Sequence, residues 1–140
     1  LDGGTLGLSL LAHVTGADDL LLVDAIRTGD AAGTLVRLDG DDVAPAVRER
    51  LSVHQIGVAD LFDAMRLLDE MPRRVVLLGL VPETLELGIG CSPAVAARID
   101  ELVTAVVAEA AALGHPLRRR AADAPLLPGD DRRAHRALGL

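Results

Sequence analysis

Lysine, tryptophan and tyrosine are absent from this 140-residue chain, and Phe62 is its single aromatic residue. A chain without aromatic faces has no platform on which bases or sugars could stack, which disfavours single-strand nucleic-acid binding. Without lysine, arginine carries all 14 basic charges against 21 acidic ones, for a net charge of -7. The imbalance is local: residues 1 to 114 hold 8 Arg against 18 acidic residues, and residues 115 to 140 hold 6 Arg against 3 Asp. An acidic body repels phosphate backbones, so no nucleic-acid partner is expected. The one cysteine, Cys91, cannot close an internal disulfide or build a cysteine metal cluster, a pattern that fits a reducing cytoplasm. No apolar run approaches the roughly 18 to 20 residues of a membrane span and no charged-then-apolar leader opens the chain, so neither membrane insertion nor export is expected.

Half of the residues are hydrophobic, nearly all of them aliphatic, and the length suits one domain with a real core. Leu6, Leu8, Leu10, Leu11 and Val14 suggest a short helix ended by Gly16. Leu20 to Val23 reads as a strand buried on both faces, and the alternation in Thr34 to Leu38 as a more peripheral one. Asp41 and Asp42 can cap a short helix through Arg50, with Pro45 tolerated in its first turn. Ser52 and Gln55 form a capping box that starts a helix near Val53, running to Asp69 with Ile56, Leu61, Met65 and Leu68 inward. Val75 to Val81 is the strongest strand pattern. Ser92 and Pro93 then open a last helix that runs to about Ala111 and stops at Gly114. This order implies a three-layer α/β/α domain over residues 1–114 with a mostly parallel sheet. Leu1 to Thr5 reads as a strand end and its turn, so the first strand and its loop are expected to be missing. Residues 115–140 show no sustained period and are expected to form a disordered tail.

Two chemistry-bearing residues stand out. Asp24 closes the Leu20–Val23 strand, and His54 falls in the first turn of the helix that Ser52 caps. Both are expected at the rim of an α/β sheet, where such sheets hold ligands. The positive end of the helix dipole favours the neutral, metal-binding imidazole. A carboxylate and an imidazole would make two ligands of a metal site that lacks a third. The plainer readings are a turn-forming Asp and a structural His. Gly3 and Gly4 can serve a tight turn, Thr5 a helix cap and Cys91 a small apolar position. Glu83 could line the crevice or sit solvated in a loop. His13, His115 and His135 have no partners at ligand spacing and read as surface residues.

Several segments, in order, resemble the hydrogenase maturation proteases: Leu1-Asp2-Gly3-Gly4-Thr5-Leu6-Gly7, Leu21-Leu22-Val23-Asp24-Ala25, Gly33-Thr34, Leu51 to Gly57, and Gly79 to Glu86 followed by Ser92-Pro93. The resemblance spans roughly residues 1 to 110. It implies an endopeptidase that trims the C-terminus of a nickel-iron hydrogenase large-subunit precursor after nickel insertion, with the substrate's nickel as the recognition signal. It also implies three metal ligands, a Glu, an Asp and a His. Asp24 and His54 match the last two, and the Glu has no counterpart here. The Asp2, Gly3, Gly4 and Thr5 turn matches the family's substrate-recognition segment. Zinc or another divalent metal would suit the same donors in vitro. Asp24 is also a candidate general base, and the chain is expected to be inactive without the third ligand. A non-catalytic relative that holds a metalloprotein tail is the alternative. A small-molecule hydrolase or phosphorylase has little support in a lysine-free, acidic body.

Overall fold

Six consecutive residues, Val75 to Leu80, are buried, and they belong to β3 (Arg74–Leu80). In the computed structural model, which describes residues 1, 3, 7–49, 53–86 and 90–118 and not the side chains of 48, 49 and 53–56, β3 is the centre of a three-stranded sheet. Its neighbours are β1 (Asp19–Ala25) and β2 (Leu35–Asp39), in the order β1-β3-β2. β1 runs parallel to β3, with Asp19 opposite Arg74 and Ala25 opposite Leu80. β2 runs antiparallel to it, with Leu35 opposite Leu80. The α/β class is as expected, and the sheet is mixed. No helix separates β1 from β2, so the chain turns back through Ile26 to Thr34, and two helices then carry it from β2 to β3, which runs antiparallel to β2 and parallel to β1.

Strand alternation separates the two faces of the sheet. Val75 and Leu77 join Val14, Ile26, Val43, Val47, Leu61, Phe62 and Met65 in one core. That core is roofed by α1 (Leu11–Val14), α2 (Val43–Glu49) and α3 (Val53–Leu67). On the opposite face α5 (Ile99–Ala112) contacts β3 and buries Ala110. Arg37 marks the division: Val36 and Leu38 pack against the core, while the Arg37 guanidinium reaches Glu109 of α5, Nε to Oε2 at 2.7 Å and Nη2 to Oε1 at 2.9 Å. Three layers result.

Several expectations change. Leu20, Leu21 and Leu22 are only half-buried and Val23 is 51% exposed, because β1 has a single neighbour among the described strands. α3 ends at Leu67, which leaves Leu68 exposed, and Phe62 takes the inward place beside Leu61 and Met65. The last helix is two: α4 (Pro93–Ala96), capped by the Ser92 hydroxyl accepting from the Val95 amide at 3.4 Å, and α5. The helix breaks at Ala97 and Arg98, and the Ala94 carbonyl of α4 approaches Gly33 so closely that a methyl there would come within 2.6 Å of it. The Ser52–Gln55 capping box, residues 119–140 of the expected tail, and Asp2, Gly4 and Thr5 lie outside the described residues.

Candidate active site

Parallel pairing with β3 fixes the end of β1. Asp24 stands opposite Gly79, and a methyl at Gly79 would collide with the Asp24 carbonyl oxygen and come within 2.8 and 2.9 Å of the Ile26 side chain. Only a glycine lets the two strands close at this point. Asp24 follows Leu20 and Leu22 at the even positions of β1, so it lies on the core side of the sheet, the side roofed by α1 and α3. Its carboxylate is exposed, and Oδ1 accepts the Ala25 amide at 2.7 Å, which holds the side chain in one orientation.

Asp24 borders a cavity of about 640 Å³ that runs along β1. Leu10 and Val14 close it on one side, Val58 and Leu61 of α3 on another, and Leu1 and Gly3 stand at its edge. Gly3, from the expected substrate turn, and Asp24 therefore share one cavity. His54 is the second residue of α3, one helical turn before Val58. The short connection from Leu67 to Arg74 makes α3 run against β3, which turns its start toward the carboxyl ends of the strands, where Asp24 lies. The His54 side chain is outside the described set. Among the described residues no group of three or more His, Cys, Asp or Glu side chains is placed to hold a metal ion.

The remaining candidates sit apart or in solvent. Glu83 and Cys91 are exposed in the loops that follow β3. His13 is exposed on α1 and borders the same cavity. His115 meets Asp19 at 3.4 Å, at the end of β1 remote from Asp24. There Arg74 Nη2 donates to Asp19 Oδ2 at 2.6 Å and to the Leu113 carbonyl at 3.0 Å. The Arg74 hydrogen bond, with His115 assisting, holds the Asp19 carboxyl below its ordinary range. This cluster ties the end of α5 to the foot of the sheet and is far from the rim. It went unread in the sequence because its members are dispersed over almost a hundred positions.

A carboxylate at the carboxyl end of a parallel strand, bordering a cavity, marks an α/β domain whose candidate site lies at the strand ends. A profile of hydrogenase maturation proteases matches residues 1–109, and the chain belongs to that family. It is 38% identical over 109 residues to the hydrogenase 2 maturation protease of Escherichia coli K12, covering 77% of this chain and 66% of the relative. To the hydrogenase expression/formation protein HupD of Rhodobacter capsulatus it is 40% identical over 117 residues, 81% of this chain and 55% of HupD. The chain thus spans about two thirds or less of the length of these curated relatives. The solved structure of the hydrogenase maturating endopeptidase HybD from E. coli superposes with a TM-score of 0.76 at 36% identity, over 81% of this chain and 71% of that one. The NiFe hydrogenase maturation protease HybD of Thermococcus kodakarensis gives 0.63 at 27% identity, over 80% and 77%.

Proposed function

We propose that the protein is an endopeptidase that removes the C-terminal extension of a nickel-iron hydrogenase large-subunit precursor in the cytoplasm, once nickel has been inserted, and that it reads the substrate's own nickel. The observation that carries this reading is the shared cavity of Asp24 and Gly3, with the His54 end of α3 turned to the same rim. Membership of the family supports the reaction class.

In this reading Asp24 and His54 are ligands for a metal that arrives already held by the substrate. A carboxylate and a neutral imidazole suit nickel, and a site with few protein ligands leaves positions for the donors the substrate brings. The Ala25 amide on Oδ1 holds the carboxylate in place for this. Asp2, Gly3, Gly4 and Thr5 would bind the peptide, and Asp24 would accept a proton from the attacking water.

The test is incubation of the full-length protein with nickel-loaded and nickel-free precursor, followed by mass measurement of the precursor's C-terminus. Cleavage of the loaded form alone is the expected result. Equal cleavage of both forms would remove nickel from the reading, and precursor bound but uncut in both would favour a non-catalytic holder of the metalloprotein tail.

A further inference from the structure

Gly57 lies in the body of α3, where a glycine weakens the helix relative to almost any other residue. Gly7 opens the 3-10 turn Gly7–Leu10 with φ +50. The two glycines touch backbone to backbone. A methyl on Gly57 would stand 2.6 Å from the Gly7 Cα and 3.3 Å from its nitrogen, and a methyl on Gly7 would stand 2.8 Å from the Gly57 Cα. Carbon atoms in contact prefer about 3.5–4.0 Å, so a side chain at either position forces the segments apart by roughly 1 Å.

Both partners border the functional segments. Gly7 follows Gly3 by four residues, and Gly57 follows His54 by three within α3. We infer that the Gly7–Gly57 contact is a positioning device, which sets the separation between the segment at Gly3, on the cavity that Asp24 borders, and the His54 end of α3. This rests on the function proposed above and adds to it the residues that align its two halves. A precursor gripped at its peptide by the turn and at its nickel by His54 must span a fixed distance. Alignment errors of about 1 Å cost on the order of 100-fold in rate even when each group is intact.

Gly57→Ala in the full-length protein is the direct test, with exposed Asp60→Ala on the same helix as control. Alanine strengthens the helix itself, so lost activity cannot be ascribed to unwinding of α3. The expected result is a kcat on nickel-loaded precursor lower by roughly 10- to 100-fold, with KM changed by less than about threefold. The clash should also lower the thermal midpoint, so kcat is measured well below the transition and expressed per folded protein. Gly7→Asn probes the same contact from the other side with a residue that tolerates positive φ, and should give the same split between kcat and KM. Unchanged kcat in both variants overturns the inference. So does a fall in activity that tracks loss of folded protein in both, which would make the contact purely structural. If the parent itself fails to cleave nickel-loaded precursor, the functional reading fails instead, and the two failures are told apart by that one lane.

Discussion

Asp24, the proposed ligand, contributes little energy to the fold that presents it. Its carboxylate is exposed and its one side-chain hydrogen bond within the described structure is to the next residue's amide. Asp24→Asn keeps that acceptor and removes the charge. Stability should therefore change by no more than about 0.5 kcal/mol in urea unfolding, as for a surface substitution. Cleavage of nickel-loaded precursor should fall by more than about 100-fold, beyond the tenfold to hundredfold typical of outer-shell changes. Retained cleavage would exclude Asp24 from the metal and from proton transfer alike. Gly79 supports Asp24 from the neighbouring strand. The sequence motif displays Asp24 and Gly79 in separate segments, and only pairing shows that one makes room for the other.

At the level of elements, β1 is the outlier. Its composition is that of a central strand, yet it has one neighbour among the described strands and holds Val23 half in solvent. An apolar edge strand is a template for pairing with other chains, and a charge placed on it is the usual natural remedy. Val23→Lys in this 140-residue chain should lower light scattering on concentration and leave the melting temperature nearly unchanged. Unchanged association would show that the edge is already covered. Periodicity located α3 and the strands to within a few residues because burial imposes a repeat on the sequence. It missed the break between α4 and α5, where the apolar pattern continues across Ala97 and Arg98 although the backbone does not.

In the molecule as a whole, Arg37–Glu109 joins the outer helix layer to the sheet, and Arg74 ties Asp19 of the neighbouring strand to the Leu113 carbonyl at the end of α5. Hydrogen bonds from Arg37 to Glu109 and from Arg74 to Asp19 hold both carboxyls below their ordinary values. A carboxyl whose pKa is depressed on folding adds stability above its unfolded pKa, near 4, and that contribution is lost as pH falls through the lower folded value. The melting temperature should thus be level near neutrality and decline below about pH 4. Arg37→Gln should melt lower than the parent at pH 7, with the gap closing by about pH 2–3. A gap that persists in acid would mean that Arg37 acts through packing and not through charge.

Residue order alone was enough for the α/β class, the strand over Val75 to Leu80 and the acidic body, since each is written in composition or in a local repeat. The antiparallel return of β2, the half-open flank of β1, the cavity shared by Gly3 and Asp24 and the backbone contact of Gly7 with Gly57 required the folded chain. Those features depend on distances between segments up to fifty positions apart, and nothing in a local pattern encodes how closely two distant backbones approach.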